Sequence, residues 1–173
     1  VVESVRKNAA TIASVFGLEN QVATLMGGFN SRIKTLKAFA EGKNATVGLC
    51  TGGGFNTLGN DGRCSIIGVE IRFENVGVDA SIDTSTHGNE ASFEFIADKN
   101  PECIFVMDRD AAIAAEGAQL AQEIVENELV MGTDAYKDGH IVYLAHSAVQ
   151  YAAEGGITSL DLMLADLENT LLP

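Results

Sequence analysis

The chain contains no tryptophan, only two prolines and 6% aromatic residues, against an apolar share of 46%. That is the profile of an ordinary soluble α/β chain, and 173 residues suffice for one well-buried domain. Basic residues are scarce: 11 Lys and Arg face 24 Asp and Glu, a formal charge of −13. Phosphate-backbone binding needs a basic face, so nucleic acid is excluded as a partner. An anionic ligand remains open wherever a few arginines converge. Cysteine is limited to Cys50, Cys64 and Cys103, too few for a disulfide framework and too widely spaced for a thiolate metal cluster. Cys50 and Cys64 flank a glycine-rich segment, and a bridge across its neck would contribute on the order of 3 kcal/mol. Cys103, within CIFVMD, reads as a buried, inert thiol. No run reaches the roughly 18 apolar residues of a membrane span. The opening VVESVRKN has neither an initiator Met nor an apolar leader core, so the chain reads as a piece of something longer.

Glycine, by contrast, is concentrated. In LCTGGGFNTLGNDGRC (Leu49 to Cys64) it occupies positions 52, 53, 54, 59 and 62, directly after the apolar run from Ala45 to Cys50. Glycine tolerates positive φ and lets another molecule approach the backbone, so this segment reads as a ligand-contacting loop leaving a strand. It carries Arg63 at its end. It matches neither GxGxxG nor GxxxxGK[ST], which weakens an enzymatic reading as a phosphate cradle with His87 as general base.

Around that segment the signals alternate. Glu3 to Phe16 has helical composition. After Gly17, Val22, Leu25, Met26, Phe29, Ile33, Leu36 and Ala40 recur at helical spacing, with Gly27-Gly28 as a candidate bend. That helix, about 20 residues or 30 Å long, suits a strut joining two bodies. Strands are expected at Ala45–Cys50, near Asn75, at Cys103–Asp108 and at His140–Leu144. Helices are expected from about Arg63, at Glu90–Lys99, at Glu116–Glu128 with Ile124 and Leu129 inward, and at Ile157–Leu172. Short apolar strands separated by helices predict an α/β fold with a mostly parallel sheet sandwiched by helices, its ligands bound at the strands' carboxyl ends. The loops there are Thr51–Arg63, Asp108–Glu116 and Ala145–Gly156, and Asp83–Asn89 precedes a helix. Their chemistry-bearing residues are Arg63, His87, Arg109 and Tyr151. Each has an ordinary structural alternative: an ion pair for either arginine, loop bracing for His87, packing on the last helix for Tyr151.

In the order LCTGGGFNTLGNDGR, STHGNEASFEFIADKNPECIFVMDRDAA, ENELVMGTDAYKDGHIVYL and EGGITSLDLML, the chain resembles the C-terminal lobe of periplasmic binding proteins that serve ferric-siderophore ABC importers, the catecholate binders in particular. The resemblance implies a Rossmann-like lobe of a bilobed protein, with residues 1–44 as the end of an N-terminal lobe plus the connecting helix and 45–173 as the C-terminal ligand-binding lobe. It implies no enzymatic activity and no intrinsic cofactor. The ligand would be an Fe(III)-siderophore held between lobes and passed to a membrane permease, in the periplasm or, in a Gram-positive source, on a lipoprotein.

Arg63 and Arg109 would then meet the anionic chelate through charge-assisted hydrogen bonds. His87 and Tyr151 would fill the two positions that a tetradentate catecholate leaves open on octahedral iron; phenolate is a hard donor that iron would deprotonate. The late loop, AHSAVQYAAEGG, lacks the acidic-Pro start and Trp-Tyr pair of the family. An ungapped count sets Gln150 at the tyrosine position, a one-residue shift sets Tyr151 there, and His146 is an alternative donor. Haem, cobalamin, hydroxamate or citrate siderophores are the other ligands within the resemblance. The apolar stripe of the strut, without a second lobe, also predicts self-association.

Overall fold

The computed structural model describes residues 1–78 and 92–172, together with the backbone of residues 89–90. His87 and most of the Asp83–Asn89 segment lie outside the described residues. Two helices open the chain, α1 (Val2–Phe16) and α2 (Glu19–Ala40), parted by Gly17 in a left-handed conformation. The 22 residues of α2 run unbroken through Gly27-Gly28. There follow β1 (Asn44–Thr51), β2 (Gly54–Thr57), α3 (Ile66–Val69), β3 (Glu74–Asn75), β4 (Asn89–Glu90), α4 (Phe93–Lys99) and β5 (Cys103–Asp108). The remainder is α5 (Arg109–Ala112), α6 (Ala121–Val125), α7 (Glu128–Met131), α8 (Asp134–Lys137), β6 (Ile141–Tyr143), α9 (Ser147–Ala152) and α10 (Ile157–Leu171).

The sheet order is β4-β2-β1-β5-β6, with β3 alongside the start of β1. Pairs β1–β3, β1–β5 and β5–β6 are parallel; β1–β2 and β2–β4 are antiparallel. The expected fold class is therefore the observed one, with an antiparallel flap added. Buried strands in a parallel sheet are apolar on both faces. Ala45, Val47, Leu49, Cys103, Phe105 and Met107 join one core with Met26, Phe29, Ile33 and Leu36 of α2 and Leu160, Met163, Leu164 and Leu167 of α10. Cys50, Ile104 and Val106 point the other way, into a core capped by Ile96, Ile124, Val125 and Val130.

Several local expectations need correcting. The triple glycine does not open a free loop: Gly52 and Gly53, at φ +56° and +80°, are the two-residue tip of a β1–β2 hairpin. Positive φ at both central positions is what the twist of a tight hairpin requires. Gly48 admits the hairpin's return strand, since a Cβ there would lie 2.3 Å from Phe55 Cζ. No bridge joins Cys50 and Cys64: all three cysteines are free and buried, and these two belong to cores on opposite sides of the sheet.

Glu90 belongs to a strand, and α4 begins only after Ser92, whose hydroxyl accepts the Phe95 N–H. The helix expected over 116–128 is reduced to α6 (Ala121–Val125), because Gly117 takes a left-handed φ of +69° and Asn127 caps a separate α7 that starts at Glu128. Leu129 is thereby exposed, as is Leu25 on the strut. Met26, Phe29, Ile33, Leu36 and Ala40 of the strut are buried and Val22 is partly buried, so the stripe expected to stand open is covered within the chain by packing on the sheet and α10.

Candidate functional site at the carboxyl edge of the sheet

Strand β5 ends at Asp108, whose carboxylate accepts the Ala111 N–H at 2.8 Å and starts α5. Arg109 is thus the first residue of a helix at the sheet's carboxyl edge. The Asp108 N–H donates to Ser147 Oγ at 3.2 Å, and that hydroxyl donates to the Leu144 carbonyl at 2.8 Å. These bonds seat α9 against the end of β5. Consecutive helix residues point about 100° apart; Gln150 is accordingly turned into the interior, 1% exposed, with its Oε1 unpartnered. Tyr151 faces the edge. The ungapped reading at Gln150 therefore fails on orientation.

Tyr151 is the centre of the arrangement. Arg109 Nε donates to its hydroxyl at 3.2 Å, and the Arg109 guanidinium lies 5.7 Å from the ring centre. Arg63 comes from the segment after the hairpin. Its Nε donates to the Tyr151 carbonyl at 2.8 Å and its guanidinium sits over the ring at 4.1 Å. One phenol thus contacts two cations, each within cation–π range of its ring. The Arg109 hydrogen bond, aided by the charges of Arg109 and Arg63, holds the Tyr151 phenol below its usual pKa. A phenol with a lowered pKa can act as an oxygen donor to a hard cation, and guanidinium groups can donate to an anion.

Asp110 ties the hairpin to this group. One carboxylate oxygen accepts the Gly52 N–H at 2.7 Å; the other accepts from Thr51 Oγ1 at 3.1 Å and lies 3.4 Å from Arg109 Nη1. Arg109 Nη1 also donates to Thr51 Oγ1 at 3.2 Å. Beside Arg109 opens a hollow of about 500 Å³, bordered by Gly52, Gly53, Glu116 and Gln119. The glycines therefore reach the site, but as a braced turn rather than a phosphate cradle. Thr51 and Asp110, which brace Arg109, are neighbours of this group that sequence reasoning did not single out as site residues. The run DRD held the signal for Asp110, and only the pairing of Cys50 with Asp108 across β1 and β5 brings Thr51 beside it.

Of the four candidate residues, Arg63, Arg109 and Tyr151 come together; His87 lies outside the described residues. His146, the alternative donor, is braced by Asp166 through one ring nitrogen. Its Nδ1 lies 2.7 Å from Oδ1 of buried Asp166, and its backbone N–H donates to Oδ2 of the same carboxylate at 3.1 Å. Tyr143 hydrogen-bonds Glu126 at 3.1 Å, and burial with that carboxylate pushes its pKa well up, which leaves it a structural phenol.

A family model described as Periplasmic binding protein matches residues 1–148. The chain is 32% identical over 176 residues to the petrobactin-binding protein YclQ of Bacillus subtilis, covering 98% of this chain and 52% of that one. It is 23% identical to the ferric-anguibactin-binding protein FatB of Vibrio anguillarum, covering 96% of this chain and 51% of FatB. The chain thus spans about half the length of these relatives. The crystal structure of YclQ superimposes with a TM-score of 0.85 at 31% identity, covering 99% of this chain and 59% of that one. That of the periplasmic catecholate-siderophore binding protein VctP of Vibrio cholerae gives 0.84 at 29% identity, over 97% and 60%. A match over most of the chain, joined to a helix-flanked parallel sheet with its polar edge, places the chain in the periplasmic binding protein family.

Proposed function

We propose that this chain forms the ligand-binding half of the substrate-binding component of a ferric-siderophore ABC importer. In this reading, residues 1–44 are the end of a first lobe and the connecting helix, and 45–173 are the C-terminal lobe. The observation that carries it is the Arg63–Tyr151–Arg109 stack. Two guanidinium groups held against one phenol at an open sheet edge suit an anionic chelate of a hard metal ion, catecholate above all. The chain's net charge of −13 makes local cations necessary for such a ligand. The similarity to a petrobactin binder and to a catecholate binder supports the same ligand class.

In the assigned roles, Arg63 and Arg109 donate hydrogen bonds to the catecholate oxygens, and Tyr151 with His87 supplies donors to iron. The iron chelate is cargo, and no chemistry is performed on it. The proposal includes delivery to a membrane permease and a lipid tether in a Gram-positive source; the family match supports the extracytoplasmic place. Among the described residues no helix is long and apolar enough to cross a membrane. The self-association expected from an open stripe on α2 loses that basis, since Met26, Phe29, Ile33 and Leu36 are buried within the chain; the exposed apolar residues are instead Ile12, Val15, Phe16 and Leu18 around the α1–α2 junction.

The test is a titration of the full two-lobed protein, read by quenching of tyrosine fluorescence. A tetradentate ferric catecholate is compared with haem, cobalamin, and hydroxamate and citrate siderophores. Saturable quenching by the catecholate at the lowest concentration is expected. Preference for another member of the panel would reassign the ligand, and no response to any of them would remove the proposal.

A further inference from the structure

Arg63 reaches its place over Tyr151 from an unfavourable backbone. The next residue, Cys64, sits at φ +59°, in the left-handed region that side chains with a Cβ avoid. The turn has a reason: it sends Arg63 to the edge while Cys64, 2% exposed, enters the core with its Sγ 4.0 Å from Met107 Sδ. What secures it is a carboxylate. The Cys64 N–H donates to Glu154 Oε1 at 3.0 Å. Glu154 lies three residues beyond Tyr151, so the segment that carries the phenol also clamps the turn that carries its cationic cover. Burial pushes the Glu154 carboxyl above the ordinary carboxylate range, a sign that the group is held in place at some cost to its charged form. A carboxylate near an anion-receiving edge repels the anion, so its presence opposes capture unless it serves Arg63.

We propose that Glu154 is a positioning residue: by accepting the Cys64 N–H it holds the 62–65 turn in its left-handed form and so lays Arg63 over Tyr151 for ligand capture. This rests on the reading above, in which Arg63 meets an anionic chelate. Gln at position 154 keeps the acceptor and loses the charge; Ala loses both. Gly at position 64 adopts positive φ unaided and makes the clamp dispensable.

The experiment uses the full chain and a tetradentate ferric bis-catecholate as probe, comparing Glu154→Gln, Glu154→Ala, Arg63→Ala/Glu154→Ala and Cys64→Gly/Glu154→Ala. Glu154→Gln is expected to bind within about twofold of wild type and Glu154→Ala about tenfold more weakly, the effect of one unmet buried donor. The loss should vanish when Arg63 is already alanine, and Cys64→Gly should restore most of it. In the ligand-free protein, the Arg63 Nε–H resonance should lose its exchange protection in Glu154→Ala and keep it in Glu154→Gln, with the core amides unchanged in both. A Gln variant as weak as the Ala variant, an undiminished loss without Arg63, or an unchanged Arg63 signal would each overturn the proposal. If wild type itself fails to bind the probe, the catecholate reading falls, and the ligand-free spectra still decide the role of Glu154.

Discussion

Two arginine sites in the molecule differ in what surrounds their charge. On the strut, Arg32 meets Glu168 of α10 through Nε at 2.8 Å and Nη2 at 2.7 Å, and its Nη1 also pairs with Asp161. Two carboxylates answer one cation, and the product is a clasp between two helices. At the sheet edge, Arg109 approaches a single carboxylate, Asp110, at 3.4 Å, and that carboxylate is already engaged by Gly52 and Thr51. Its better contact is to a phenol, and Arg63 stacks on the same ring. Charge matched by two carboxylates supports architecture; at the edge both guanidinium groups also engage a neutral, polarisable ring, the arrangement on which the proposed anion binding rests.

Removing the edge cations should have the largest effect. Replacing both Arg63 and Arg109 by alanine is expected to weaken binding of a ferric bis-catecholate by about a hundredfold or more, since hydrogen bonds to charged groups contribute about 1.5–3 kcal/mol each. The check is a fluorescence titration of the full protein, and an unchanged affinity would dissolve the distinction between the two sites. Tyr151→Phe comes next, with about a tenfold loss of affinity. It should also remove any phenolate-to-iron absorption band from the complex, which visible spectroscopy would record.

Arg32→Ala sharpens the comparison from the other side. It should lower unfolding stability by about 1–2 kcal/mol, a value reduced for partial solvent screening, and leave affinity alone. Denaturant unfolding together with the same titration tests both halves. A smaller effect lies in the tyrosines: an alkaline titration of phenolate absorbance should find Tyr151 ionising below its usual value and Tyr143 above it. The signs differ accordingly. Tyr151, depressed in the folded state, adds stability at alkaline pH that is lost as pH falls through its folded pKa. Tyr143, raised, adds stability below its unfolded pKa that is lost as pH rises toward its folded one. Smallest of all is the thiol response. Burial pushes Cys50 and Cys103 up to about 12 and Cys64 higher, so thiol reagents should leave the folded protein unmodified and a reductant should not change its melting temperature.

Long, strongly patterned elements were legible: the 22-residue strut, the CIFVMD strand and the last helix sit where their apolar spacing predicts them. Short ones were not. The helix expected over 116–128 breaks at Gly117 and Asn127, because glycine in a left-handed conformation and an asparagine cap outweigh a diffuse apolar pattern. The glycine run read as a ligand-contacting loop, whereas the pairing of Cys50 with Phe55 and of Thr51 with Gly54 makes Gly52-Gly53 the tip of a tight hairpin. At the site, the residue types of Arg63, Arg109 and Tyr151 were readable, while Asp110, Thr51 and Glu154 were not, since each acts through a partner remote in sequence.

The amino-acid order alone determined the α/β alternation, the two-sided burial of the parallel strands and the supply of arginine and tyrosine to strand-end segments. These follow from local periodicity, which needs no knowledge of distant neighbours. Only the tertiary structure decided that Gln150 turns inward and Tyr151 outward, that Arg32 is matched by carboxylates while Arg109 leans on a phenol, and that a left-handed cysteine aims Arg63 at the same ring. Those outcomes depend on strand register and helix seating, which join residues 42 to 136 positions apart and leave no trace in any local window.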